Sequence, residues 1–106
     1  MGFKRIGLLR RRADLTQEQF VHYWLTVHAP LAKRLPNVRR YSINVVNRDR
    51  YPALGHDGFS ELWFDSQAEC EAAFASPEGV ALLADLKNYV ESANPVFIEE
   101  HQIVWP

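Results

Sequence analysis

The hydrophobic pattern changes period along the chain, and the order of those changes is the tightest constraint on its fold. Phe3 to Arg11 alternates, with Ile6 and Leu8 on one side and Phe3, Gly7 and Leu9 on the other. The pattern then becomes helical. Thr16 and Gln19 form a T-x-x-Q capping box, and Phe20, Trp24, Val27, Leu31 and Leu35 follow at spacings of three and four. Pro30 removes one helical hydrogen bond and predicts a kink just past His28; Leu35-Pro36-Asn37 ends the segment. Alternation returns in Arg39 to Asn47 and, after a polar loop to Asp57, in Gly58 to Phe64. Ser66 with Glu69 caps a helix through Ala75, and Ser76-Pro77 opens another with the stripe Val80, Leu83, Leu86, Tyr89 and Val90. Asn94-Pro95 is read as its breaker and Phe97 to Trp105 as the last strand. The order β-α-β-β-α-β predicts an α+β, ferredoxin-like domain over 1–106, one antiparallel sheet with helices on one face.

Such a sheet leaves its second face bare. Phe59, Trp63, Phe97 and Ile103 are assigned to that face, which is then too apolar to stay wet, so a homodimer with two sheets face to face is expected. Glu61 falls between Phe59 and Trp63, where a buried carboxylate needs a cation; Arg5 or Arg11 is the expected partner. Asp57 is read as a turn residue, and Asp85 and Lys87 as surface groups.

Twelve Lys and Arg against thirteen Asp and Glu give a formal charge of −1, which argues against nucleic acid as a partner. No apolar run reaches membrane-spanning length, and the N-terminus does not read as a signal peptide, so no membrane partner and a cytoplasmic location are expected. The single Cys70 excludes an internal disulfide and a multi-cysteine zinc site. The four histidines share no ligand spacing, and no Gly-rich phosphate loop is present; neither a metal nor another cofactor is expected. The Arg10–Arg12 triplet is read as a solvated strand end. His22 falls opposite the apolar stripe and His28 at its edge, beside the proline, where an imidazole can pass a proton either way or simply bond a carbonyl at the kink.

Three stretches carry a family resemblance. They are Leu15–Phe20 with Trp24 and Val27-His28-Ala29-Pro30-Leu31-Ala32; Leu35–Tyr41; and His56–Phe64 followed by Ser76-Pro77-Glu78-Gly79 and Asp85. Together they resemble the EthD family of dimeric α/β-barrel proteins. The resemblance implies that fold and a cleft between helix and sheet. In isomerase-like relatives a His and a Tyr contact the substrate; they match His28 and Tyr41 here. The strand cysteine of those relatives matches Leu62, and Cys70 sits on a helix instead, so the relatives' own isomerisation does not carry over. Catalytic roles are expected for His28 and Tyr41, with Trp24, Leu62 and Phe64 lining the substrate site. The expected activity is cofactor-free acid/base chemistry, of isomerase, lyase or dehydratase type, on a cyclic lactone, aromatic or polyketide-like carbonyl compound. A non-catalytic metabolite-binding or accessory role in an oxygenase pathway, and a cofactor-free monooxygenase, stay open beside it. No role is assigned to His56 or Cys70.

Overall fold

The computed structural model describes residues 2–106. Four strands, β1 (Phe3–Arg11), β2 (Arg40–Val45), β3 (Gly58–Phe64) and β4 (Val90–Ile98), form one antiparallel sheet in the order β2-β3-β1-β4. Between β1 and β2 lie α1 (Gln17–Tyr23), a π-helical turn (Trp24–His28) and α2 (Ala29–Ala32). Between β3 and β4 lie α3 (Gln67–Ala75), α4 (Pro77–Asp85) and a 3₁₀ turn (Leu86–Asn88). This is the ferredoxin-like arrangement that the order of periods predicts. The molecule is 19 Å thick in its thinnest direction, enough for one helix layer on one sheet.

Local chemistry sets the helix starts. Thr16 Oγ1 accepts from the Gln19 amide and Gln19 Oε1 accepts from the Thr16 amide, the reciprocal box read from the sequence. Ser66 and Ser76 each cap with their hydroxyl, and Pro77 occupies the first turn of α4. Gly79 is required where α4 crosses α3: a Cβ there would stand 2.3 Å from the Ala73 carbonyl oxygen.

The last strand begins seven residues earlier than the pattern suggests. Tyr89 and Val90 are buried, but as the entry to β4 rather than as a helix stripe. Pro95 lies inside β4, opposite Gly7. β4 is an edge strand, where a residue with no N–H can sit with no loss to the ladder. Residues 99–106 leave the sheet, and Ile103 is 87% exposed rather than part of a sheet face.

The register also moves Phe97. It pairs with Arg5 on the helix-covered side and meets Phe3 edge to face, with centroids 4.9 Å apart. The bare face carries Lys4, Ile6 and Leu8 of β1 opposite Trp63, Glu61 and Phe59 of β3. Glu61 therefore pairs with Lys4, 2.6 Å away, and with neither Arg5 nor Arg11. Arg11 and Arg48 instead hold Asp57, which is 2% exposed and also accepts from the Arg11 amide at 2.7 Å. Asp57 thus clamps the 47–57 loop to the end of β1 and is more than a turn residue.

The core has two halves. Leu9, Phe20, Trp24, Tyr89 and Val90 pack near one end of the sheet. Ala32, Leu35, Leu62, Phe64, Cys70, Ala73 and Leu82 pack near the other. The functional interest lies at the seam between them.

Candidate functional site

The seam holds a cavity of about 230 Å³ between the helices and the sheet. Trp24, Leu9 and Tyr89 wall it from one half of the core, and Ala32, Leu62 and Leu82 from the other. An apolar cavity of about 150 Å³ already accommodates benzene, so this one has room for a substituted ring or for two fused rings.

His28 enters the cavity because of the π-turn. The Ala29 amide donates to the Trp24 carbonyl, an i→i+5 bond, so each turn takes more than four residues. Residue i+3 is then carried further round from residue i, while residue i+4 stays close above it. His28 comes over Trp24 and is 7% exposed, while Val27, placed on the apolar stripe by regular α spacing, is 41% exposed. The irregularity lies ahead of Pro30 rather than after His28, and the helix continues as α2. His28 is therefore buried at the centre of the fold and not at the margin of a helix face.

Its imidazole is fixed by a residue expected on the surface. His28 Nδ1 lies 2.9 Å from Asp85 Oδ2. Asp85 Oδ1 accepts from the Tyr23 hydroxyl at 2.6 Å and from Asn88 Nδ2 at 3.0 Å. Asp85 is 9% exposed and closes α4, a helix end whose dipole disfavours a negative charge. Burial alone would raise its pKa; the hydrogen bonds from Tyr23, Asn88 and His28 outweigh it and hold the carboxyl below its usual range. Burial lowers the His28 pKa, against the pull of Asp85. At neutral pH the pair is a carboxylate and a neutral imidazole. A carboxylate only accepts, so the ring proton sits on Nδ1 and the Nε2 lone pair is left without a protein partner among the described residues.

Tyr41, Arg5, Ser60 and Asn94 are the further polar side chains of the lining, and Trp24 and Tyr89 line it with their rings. Tyr41 projects from β2 on the helix side, beside Leu62 of β3. Burial pushes its phenol up to about 12, against a smaller opposing effect of the Trp24 indole N–H. The Trp24 indole nitrogen and the Tyr89 hydroxyl are buried and make no hydrogen bond of normal geometry. Burial raises the Tyr89 phenol too, with Tyr41, Asp85 and Tyr23 adding to it. The Tyr89 ring lies against His28, with centroids 4.9 Å apart. The free Nε2 lone pair of His28 and the phenol of Tyr41 face one largely apolar space. That combination can remove a proton beside a carbonyl and hold the oxygen that becomes negative.

The structure thus brings His28, Tyr41, Trp24 and Leu62 together around one cavity. Phe64 is 1% exposed and packs in the core half beneath it, outside the lining. Cys70 is buried on α3, and burial pushes its thiol up despite the nearby Arg5 charge. His56 sits in the loop before β3, away from the lining. Among the described residues, no group of three or more His, Cys, Asp and Glu side chains could hold a metal ion, and no helix is long and apolar enough to cross a membrane. From the sequence Asp85 reads as a surface group and Tyr89 as part of an apolar stripe with no place in the site, although the spacing holds a signal. Leu82, Asp85 and Leu86 follow i, i+3, i+4 on the inward face of α4 and its 3₁₀ extension, and Tyr89 follows that turn at the entry to β4. The stripe through Val80 and Leu83 is the outward one, 59% and 42% exposed.

Comparison with known proteins agrees with this architecture. The model of the EthD domain matches residues 12–93. An 11.0 kDa protein from the thcB-thcC intergenic region of Rhodococcus erythropolis is 30% identical over 88 residues, covering 82% of this chain and 84% of that one. The crystal structure of an ethyl tert-butyl ether degradation (EthD) family protein from Bacillus halodurans superposes with a TM-score of 0.82 at 20% identity, over 95% of this chain and 100% of the other. A dimeric ferredoxin-like protein from Thermobifida fusca gives 0.69 at 21% identity, over 92% and 90%. At such identities the structural likeness establishes the fold.

Proposed function

The chain belongs to the EthD domain family, and from that premise we propose that it is a small cofactor-independent enzyme acting by general acid/base chemistry on a cyclic, lactone-like or aromatic carbonyl compound. The observation that carries the reading is the His28–Asp85 pair at the wall of the cavity. His28 Nε2 takes the proton from the carbon beside the carbonyl, and Asp85 stabilises the imidazolium that results. The Tyr41 phenol, protonated well above neutral pH, donates to the developing enolate oxygen. The proton returns from Nε2 to a different carbon or to a leaving oxygen, so the step ends as an isomerisation or an elimination. Apolar walls at Leu62 and Ala32 exclude water from the enolate.

The enzyme is proposed to work as a homodimer. Ile6, Leu8, Phe59 and Trp63 give the bare sheet face an apolar centre, and the Thermobifida fusca protein of the same fold is described as dimeric.

Solvent deuterium exchange tests the chemistry whatever product forms. One-ring lactones, cyclic 1,3-diketones and hydroxyaryl ketones are incubated in D₂O with the protein, and label at the carbon beside the carbonyl is followed by mass spectrometry. The native protein accelerates exchange in at least one class, and His28→Ala slows it by about 10²–10⁴-fold. Unchanged exchange in a folded His28→Ala protein refutes the role of His28. Saturable binding with no exchange in any class marks the cavity as a binding site only.

A further inference from the structure

The helix-facing row of β1 reads Phe3, Arg5, Gly7, Leu9, a guanidinium in the middle of an apolar row. Arg5 has no anionic partner. It takes part in none of the ion pairs or side-chain hydrogen bonds among the described residues, whereas its neighbours do: Lys4 holds Glu61 and Glu100, Arg11 and Arg48 hold Asp57, and Arg39 holds Asp65. The nearest organised contact is the face of the Phe74 ring, 4.0 Å from the Arg5 guanidinium carbon. Burial lowers the Arg5 pKa, and a guanidinium remains charged even so. A half-buried charge left unpaired costs folding free energy, and that cost is recovered when an anion arrives.

Its position says which anion. Arg5 lines the His28 cavity and also a wider groove of about 450 Å³ that runs outward past Phe74, Pro95 and Phe97. Arg5, Phe74, Leu83 and Pro95 are common to both spaces, so the guanidinium stands where one opens toward the other. Gly7 keeps the floor beside it low; a Cβ there would come within 2.8 Å of Ser60 Oγ and 3.9 Å of an Arg5 nitrogen. Glu71 lines the far side of the groove and is not paired with Arg5. Cys70, also in the groove wall, is neutral at physiological pH because burial raises its pKa.

We infer that Arg5 is a specificity residue that reads a carboxylate on the substrate, so that the ligands of this protein are small organic acids whose ring enters the cavity and whose acid group stays at its mouth. The guanidinium fork suits a carboxylate in two-point contact, and the surrounding apolar walls strengthen that bond. The inference rests on the cavity being a small-molecule site, as proposed above, and does not require that His28 perform chemistry there.

The test uses 1-naphthoate and 1-naphthamide, nearly equal in shape and apolar area, with binding followed by calorimetry and by the Arg5 Nε–H signal in ¹⁵N–¹H spectra. The native protein binds naphthoate at least about tenfold more tightly than naphthamide, and naphthoate shifts the Arg5 signal. Arg5→Met abolishes the preference and Arg5→Lys keeps part of it. Lys4→Met removes a cation from the opposite sheet face and leaves the preference intact. His28→Ala also leaves it intact, so loss of exchange activity and loss of acid recognition are separable. Equal binding of the two probes, a preference that survives Arg5→Met, or no saturable naphthoate binding at millimolar concentration overturns the inference. The melting temperature of unliganded Arg5→Met supplies a second reading. It equals or exceeds the native value if Arg5 is held for ligand, and a marked fall identifies the guanidinium as structural and overturns the inference.

Discussion

Asp85 Oδ2 and His28 Nδ1 are 2.9 Å apart although 57 residues separate them in the chain. The first closes α4 and the second ends the π-turn, so the pair ties the two helical segments of the one helix layer together over the cavity. Because the carboxylate has only acceptors, this contact decides which imidazole nitrogen carries the proton. The nitrogen left free is the basic one. A structural bond and a chemical assignment are here the same bond.

Asp85→Asn breaks that assignment while nearly preserving shape. An amide can accept from Nδ1–H or donate to a bare Nδ1, so both tautomers become available. Long-range ¹⁵N–¹H spectra of the native protein are expected to show His28 protonated on Nδ1, and those of Asp85→Asn a mixture. Exchange activity should fall by about 10²-fold or more, as for loss of an effective general base. A native ring protonated on Nε2 would refute the orientation of the dyad.

The same burial makes stability depend on pH. His28 has a lowered pKa in the fold, so below the ordinary histidine value of 6.5 the unfolded chain binds the proton more readily. Stability is full above about 6.5 and declines as pH falls through the folded value. Asp85, also lowered, adds a second loss that begins only below its ordinary 3.8. Melting temperatures between pH 5 and 8, on a scale where about 1.4 kcal/mol corresponds to one pKa unit, should show the first decline. His28→Asn should flatten it. A native protein equally stable across that range would contradict the burial argument.

The parts of the fold legible in the sequence are those that local chemistry decides. Thr16-x-x-Gln19 and Ser76-Pro77 carry their own start signals, and β3 buries Gly58, Leu62 and Phe64 on one face and leaves Phe59, Glu61 and Trp63 half-buried on the other. Where two periods meet, the pattern is ambiguous. Tyr89 and Val90 are apolar at helical spacing from Leu86, yet Tyr89 ends the 3₁₀ turn and Val90 begins a strand, because a buried strand end and a helix stripe ask for the same residues. Asn94-Pro95 reads as the breaker of a helix, yet an edge strand equally accepts a residue with no N–H. The π-turn leaves no mark in the spacing; it carries Val27 outward while His28 stays over Trp24 at the cavity. Tyr41 and His28 were legible as a pair; Asp85 was not, because a lone carboxylate in a helix is ordinarily solvated.

Gly58 tests how tightly the cavity wall is built. A Cβ at this position would lie 2.5 Å from a Trp24 ring carbon and 2.6 Å from the Asn44 carbonyl oxygen. Neither neighbour has room to yield, since Trp24 is fully buried and Asn44 is part of β2. Gly58→Ala should therefore cost about 1–3 kcal/mol, lower the melting temperature by several degrees, and shift the Trp24 indole signal. Retention of the native melting temperature would show that Trp24 is free to move and that the cavity is not pre-formed.

The bare sheet face provides a test of assembly that leaves the cavity untouched. Leu8 lies opposite Phe59 on that face, between Ile6 and the polar end of the strand. The Lys4–Glu61 pair, 2.6 Å apart, neutralises its charge without removing its apolar centre. Two such faces packed together bury Ile6, Leu8, Phe59 and Trp63 from both copies, a stabilisation on the order of 25 cal/mol per Å² of apolar area. Sedimentation at micromolar concentration should give close to twice the 12.3 kDa of one chain. Leu8→Asp places two carboxylates, one from each copy, in that layer, and the desolvation cost should shift the population to monomer. Far-UV circular dichroism should stay native, because Leu8 faces away from both core clusters. A native protein that sediments as a monomer would remove the dimer from the proposal, and a Leu8→Asp protein that stays dimeric would place the interface on another face.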